Sequence, residues 1–382
     1  MTLYIGLMSG TSMDGIDAAL LEIEPAGMRL RAAADRNWPV SLQERLRRAA
    51  EDPGRVGLVE LGQLDTAVAG QFALAALDLL RATQLPASRI RAIGSHGQTL
   101  LHRPRDVEPF TLQIGDPNLI AERLGIDVVA DFRRRDVAAG GEGAPLMPAF
   151  HAAAFGAAGE TRAVVNIGGI ANVTLLRDDG SVIGFDTGPG NCLMDAWSRR
   201  HLEQAYDARG TWAASGNVQP QLLARLRQEP YFTQPPPKST GRETFSDAWL
   251  ERALQELREE RPAGTPIGRS QANADVQATL AELTARSIAD ALHRWAGGNP
   301  ERVLVCGGGA FNADLMTRLA RALPGTQLGT TASAGIAPEH VEAAGFAWLA
   351  HRCVAGLAGN LPSVTGAQHA VPLGALYRGT LA

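Results

Sequence analysis

"LYIGLMSGTSMDGIDAALLEI", residues 3–23, sets two apolar stretches around a polar turn. "LYIGL" and "IDAALLEI" have the composition of strands, and "MRLRAAA" (28–34) follows as a third after "EPAG". The turn between the first two, "MSGTSMDG" (8–15), is longer and richer in glycine and hydroxyls than a plain hairpin needs. The pattern returns at residue 162: "RAVVNIGGIANVTLL" (162–176) is strand, glycine turn, strand, and "SVIGFDTGPGN" (181–191) is a third strand ending in a loop. A recurrence at a spacing of roughly 160 residues points to duplication of one domain plan.

The rest of the chain fits an α/β architecture. Residues 41–50 and 56–83 are helical by period. "RIRAIGSHGQT" (89–99) is a short strand running into a polar loop, and "FTLQIGDP" (110–117) is another, with a helix expected from Pro117. "GIDVVADF" (125–132) is continuously apolar, as in a parallel sheet covered on both faces. Helices then dominate to about residue 295, with "TQPPPKSTGRE" (233–243) and "RPAGTPIGRS" (261–270) as loops by composition. "RVLVCGGGAFN" (302–312) is strand, glycine loop and a helix start at Ala310, and "APEHVEAAGFAWLAHR" (337–352) is the last helix. These elements predict a first domain over 1–130, with 360–382 packing on it, and a second over 131–359. The glycines of "AAGGEGAP", Gly140, Gly141 and Gly143, are the expected hinge.

A chain of 382 residues exceeds what one core usually fills, in line with two domains. Net charge is −4, which argues against nucleic acid or an anionic membrane as partner. No apolar run is long enough to span a bilayer, and "MTLYIGLMSG" lacks the regions of a secretory signal. Cys192, Cys306 and Cys353 are far apart without a CxxC pair and read as thiols of a reducing cytoplasm. Among 36 lysines and arginines only Lys238, in "PPPKSTGRE", is lysine.

Three glycine loops follow apolar strands: "MSGTSMDG", "NIGGIAN" and "CGGGAFN". Glycine lets backbone approach a ligand closely, and exposed N–H groups in such turns form anion-binding nests. Together they point to a nucleotide site. It is neither a Walker A loop, which needs GxxxxGK[ST], nor a dinucleotide fingerprint, which needs GxGxxG opening an early βαβ unit.

Two such hairpins and a late strand–GGG–helix resemble the actin, Hsp70 and sugar-kinase superfamily, a two-domain, ribonuclease H-like α/β fold with the nucleotide in an interdomain cleft. Within it, "GLMSGTSMDGID", "GSHGQT", "VADFRRRDVAAGGEGAP", "NIGGIAN", "FDTGPGN", "PKSTGRE" and "CGGGAFN" together resemble the anhydro-N-acetylmuramic acid kinase family, in order from residue 5 to the last helix. The resemblance implies an ATP- and Mg²⁺-dependent, cytoplasmic, homodimeric enzyme of cell-wall recycling with an amino-sugar substrate. Water opens the 1,6-anhydro bridge and the freed O6 takes the γ-phosphate. Ser9, Gly10, Thr11, Ser12, Met13, Asp14 and Gly15 then face the γ-phosphate, Gly168, Gly169 and Asn172 the β-phosphate, and Gly307, Gly308, Gly309 and Asn312 the adenosine. Asp14 or Asp17 organises Mg²⁺ through water, with Asp17 also readable as a plain strand residue.

By the same resemblance Asp186 is the general base, a carboxylate at a strand end, against the alternative of a cap on the helix from Asn191. Arg135 and Asp136 close the "DFRRRD" run at the sugar, while Arg133 and Arg134 read as a solvated charge run. Glu342, on the last helix, and His96, between glycines, complete the sugar contacts. Two other readings stay open: a kinase of an ordinary free hexose, and an ATP-gated module that is not an enzyme.

Overall fold

The computed structural model describes residues 2–25, 27–241, 243–259 and 269–380, which fall into two compact units: residues 1–154 with 340–382, and residues 155–339. The first unit carries β1 (Thr2–Met8), β2 (Gly15–Glu24), β3 (Gly27–Asn37), β4 (Ile90–Ser95), β5 (Gln98–Arg103), β6 (Phe110–Ile114), β7 (Val128–Ala130) and β13 (Ala375–Tyr377). The second carries β8 (Arg162–Ile167), β9 (Ile170–Leu176), β10 (Val182–Pro189), β11 (Arg302–Cys306) and β12 (Gln327–Thr330).

The duplication read from the sequence is present in the sheets. In the first unit the order is β13-β7-β4-β1-β2-β3, and in the second β10-β9-β8-β11-β12. Each begins with an antiparallel meander, β1–β2–β3 or β8–β9–β10. Each then adds parallel strands beside the first of the meander: β4 and β7, or β11 and β12. β1 and β2 are buried almost throughout, whereas β3 alternates toward solvent as an edge strand does.

Close packing explains where glycine was required. Gly6 of β1 pairs with Gly94 of β4, and the helix Val341–Val354 lies directly on both. A Cβ at Gly6 would stand 1.8 Å from the Ala343 carbonyl oxygen, and one at Gly94 2.0 Å from that of Phe346. The other face of this sheet is filled by the helix Leu58–Thr83, with Phe72, Leu64 and Leu79 against Ile5, Leu7 and Ile16. In the second unit Val165, Val173, Phe185 and Val303 pack with Leu280 and Ile288 of the helix Arg269–Trp295.

The division of the chain differs from the expected boundary at 130/131. Phe132 and Asp136 are buried inside the first unit, and the helix Val341–Val354, expected in the second domain, is a layer of the first. The glycines expected to act as a hinge also lie within the first unit. The Gly143 N–H donates to Asp136 Oδ2 at 2.8 Å and the Gly141 N–H to the Asp136 carbonyl at 2.9 Å. A Cβ at Gly141 would come 2.3 Å from Asp136 Oδ2, so this run is a packed turn and not a free joint. The helix expected from Ala310 begins instead at Ala313, because Gly308–Phe311 forms a tight 3₁₀ turn and Asn312 caps the helix after it. Of the expected loop 261–270, residues 261–268 lie outside the described residues, and Arg269 and Ser270 open the long helix.

Candidate functional site

In the first unit the turn after β1 is braced from several sides. Trp38 donates its indole N–H to the Ser9 hydroxyl at 3.3 Å, and Gln98 Nε2 donates to the Gly10 carbonyl at 3.2 Å. Gln43 Nε2 donates to the carbonyl of Met13, whose φ of 56° is uncommon for a residue with a side chain. The Met13 side chain itself is buried in the core, so only its backbone belongs to the turn. Thr11 and Asp14 are exposed at the tip, Gly10, Ser12 and Gly15 are partly exposed, and Ser9 is buried. Asp17 sits in β2 opposite Met8. Among the described residues no cluster of three or more His, Cys, Asp or Glu could hold a metal. Mg²⁺ does not require one, since it commonly takes one or two carboxylates and keeps its waters.

Beside this turn stands His96, buried, its N–H bonded to the Leu7 carbonyl and its ring against Phe346 at 4.7 Å. Arg133 Nε donates to His96 Nε2 at 2.9 Å, and Nη1 of the same arginine donates to the Gly143 carbonyl. A guanidinium only donates, so Nε2 is the acceptor and the ring proton belongs on Nδ1. Burial and the Arg133 charge hold His96 well below its ordinary value, so the ring is neutral. Burial raises the Glu342 carboxyl, and the charge of Arg133 opposes that rise. The charge of Arg133 thus acts on both His96 and Glu342. His96 also lines a cavity of about 450 Å³ in this unit, with Gly97, Gln113, Asp131, Leu58 and Leu61 in its wall.

Two expected sugar residues are placed otherwise. Arg135 is exposed, and Arg133, read from the sequence as part of a solvated run, is the arginine turned inward. Asp136 is fully buried and its carboxylate is occupied by the Gly143 N–H, Asn360 Nδ2 at 2.8 Å and the Thr365 hydroxyl at 2.9 Å. It ties the 137–143 turn to the C-terminal segment.

In the second unit the glycine loops converge. The N–H groups of Gly190, Asn191 and Cys192 donate to the carbonyls of Gly168 and Gly169 at 2.7–3.1 Å, and Asn191 Nδ2 reaches the Ile167 carbonyl. A Cβ at Gly190 would stand 2.3 Å from the Gly168 carbonyl oxygen, and one at Gly307 2.3 Å from Asn166 Oδ1. Gly308 is exposed beside them. Asn312, expected at adenosine, is instead the cap of the helix Ala313–Ala322: its Oδ1 accepts from the Leu315 N–H at 2.9 Å.

Register aligns Asn166, Asn172 and Asp186 across β8, β9 and β10, three polar residues in a row on largely apolar strands. Asp186 does not cap the helix from Asn191, which has no side-chain cap. It is held by the segment after β10. The Asp186 N–H donates to the Lys238 carbonyl at 3.2 Å and the Thr240 N–H to Asp186 Oδ2 at 3.0 Å. The Tyr231 hydroxyl donates to the Asp186 carbonyl at 2.8 Å. Burial pushes the Asp186 carboxyl up to about 6, against the pull of the Thr240 N–H and the Lys238 charge. A carboxylate with that value is suited to accept a proton near neutral pH. Tyr231 and Thr240 were not singled out in the sequence, because nothing local marks a residue that acts by reaching back from a distant loop.

A family model described as anhydro-N-acetylmuramic acid kinase matches residues 2–379. A relative named anhydro-N-acetylmuramic acid kinase from Xanthomonas oryzae pv. oryzae (strain MAFF 311018) is 52% identical over 378 residues, covering 98% of this chain and 97% of the relative. Relatives of the same name from Xylella fastidiosa (strain Temecula1 / ATCC 700964) and Shewanella oneidensis (strain ATCC 700550 / JCM 31522 / CIP 106686 / LMG 19005 / NCIMB 14063 / MR-1) are 50% and 49% identical, each over 98% of this chain and over 96% and 98% of their own lengths.

Proposed function

This chain belongs to the anhydro-N-acetylmuramic acid kinase family, and we propose that it uses ATP and Mg²⁺ to convert 1,6-anhydro-N-acetylmuramic acid into N-acetylmuramic acid 6-phosphate. The observation that carries this reading is the environment of Asp186, whose carboxyl is raised to about 6 and accepts from the Thr240 N–H, while its backbone N–H and carbonyl are bonded to the same loop. As general base it takes a proton from water. The water oxygen bonds to the anomeric carbon, the bond from that carbon to O6 breaks, and O6 attacks the γ-phosphorus as ADP leaves. Water and ATP are both consumed, so the balance gives one phosphorylated reducing sugar, ADP and a proton.

The remaining roles follow from the same reading. The braced turn Ser9–Gly15 offers backbone N–H groups and the Thr11 and Ser12 hydroxyls to the terminal phosphates. Gly168, Gly169 and the exposed Gly308 leave room for the rest of the nucleotide. Bound Mg²⁺, held through water by Asp14 or Asp17, would neutralise charge on the phosphates. Arg133, held by its hydrogen bond to neutral His96, and Glu342 contact the sugar. Cytoplasmic location and a homodimer belong to the same proposal; the three cysteines are unbridged, as a reducing compartment requires.

The test is the fate of solvent oxygen. With anhydro-sugar, ATP and ¹⁸O-water, label is expected at the anomeric position of the phosphorylated product. Unlabelled product, or equal turnover of free N-acetylmuramic acid, would overturn the hydrolytic step and leave a simple sugar kinase.

A further inference from the structure

Lys238, the one lysine in the chain, has no part in the reaction as set out above. It is buried, and it is folded back on its own loop: Nζ donates to the Tyr231 carbonyl at 3.0 Å and to that of Phe232 at 3.5 Å. The ammonium also sits 4.5 Å from the centre of the Tyr231 ring, a cation–π distance. Residues 231–240 thus form a strap closed at one end by this side chain. The same strap grips Asp186 through the Lys238 carbonyl, the Thr240 N–H and the Tyr231 hydroxyl. Phe232 fills the space over Gly188, where a Cβ would meet its ring at 2.6 Å.

We propose that Lys238 is a positioning residue for the water-activating carboxylate, fastening the strap that orients Asp186 and setting the charge that Asp186 faces. The inference rests on the reading of Asp186 as the base. Chemistry explains why lysine survives here in a chain that otherwise uses arginine. Two carbonyls and an aromatic face converge on a buried point, which suits a compact ammonium with rotatable donors and excludes a planar fork. The charged groups facing the pair are few: Arg294, whose charge acts on Lys238 together with burial to lower it to about 8, and Tyr231, whose phenol both burial and Asp186 raise. The ammonium therefore remains charged at neutral pH and favours the ionised form of Asp186.

The test uses the full chain with Lys238→Met and Lys238→Arg, compared by kcat, KM for each substrate and kcat/KM against pH. K238M is expected to lower kcat roughly 100-fold, as for a displaced catalytic group, with KM for ATP unchanged. Its acid limb is expected to move to higher pH, because the charge favouring the Asp186 carboxylate is gone. K238R keeps the charge but not the fit, so kcat falls while the acid limb stays in place. Should K238M not fold, Lys238→Gln keeps one donor without charge and must show the same shift. An acid limb unmoved in the uncharged variant, or kcat and nucleotide affinity falling together, overturns the proposal. Near-wild-type turnover by Asp186→Asn would instead overturn the reading of Asp186 as the base, so the two failures are distinguishable.

Discussion

Asp186 concentrates the chemistry at the scale of single residues, and its predictions are correspondingly direct. Asp186→Asn is expected to lower kcat by roughly two to four orders of magnitude, the usual worth of a general base. Binding of a non-hydrolysable ATP analogue, followed by calorimetry, is expected to persist. The sign of the pH dependence follows from the raised carboxyl: the base works ionised, so kcat/KM should fall as pH drops through about 6 and be level above it. At the sugar end, Arg133→Met is expected to raise KM for the anhydro-sugar, and Arg135→Met to leave it near wild type, as steady-state kinetics would show. Asp186 was singled out because a carboxylate in "FDTGPGN" is locally conspicuous, although it lies within β10 and not at the strand end expected for it. The choice among three successive arginines was not legible. Helical neighbours two apart point in nearly opposite directions, and only the packing of Phe132–Ala138 decides which one turns inward.

Elements succeed or fail here on backbone approach. Gly190→Ala would drive a methyl group into the Gly168 carbonyl oxygen, 2.3 Å from its ideal position. The "NIGG" turn and the "GPGN" loop must then separate, and nucleotide affinity is expected to fall with stability, measured by calorimetry and urea unfolding together. Gly6→Ala makes a similar collision with the helix Val341–Val354. It is expected to destabilise by about 1–3 kcal/mol, typical of overpacking. The meander strands, most helices and the glycine loops were readable from periodicity and composition. β12 and β13 were not, since strands of four and three residues carry too few alternations to show, and neither was β5, which begins inside a stretch that reads as a polar loop. Asn312 shows the opposite limit: it stands in a motif attached to the nucleotide, yet immediately before a helix, and the structure uses it as a cap.

At the scale of the whole molecule, the first unit is built from the two ends of the chain, and its stability depends on both. Residues 341–354 cover Gly6 and Gly94, Asn360 and Thr365 hold Asp136, and β13 extends the sheet beside β7. Truncation after Glu339 is therefore expected to unfold the first unit although its first 154 residues remain, with loss of its helical signal in circular dichroism and of cooperative unfolding. The sequence by itself determined the duplicated meander, the α/β class and the family, because each is written in contiguous residues: alternation within a strand, glycine in a turn, motifs in a fixed order. Only the tertiary structure decided where the units divide, which arginine faces inward, that Asp136 is a tie and that Lys238 fastens a strap. Those outcomes depend on contacts between residues up to 347 positions apart, and no local pattern records which distant partner a side chain will meet.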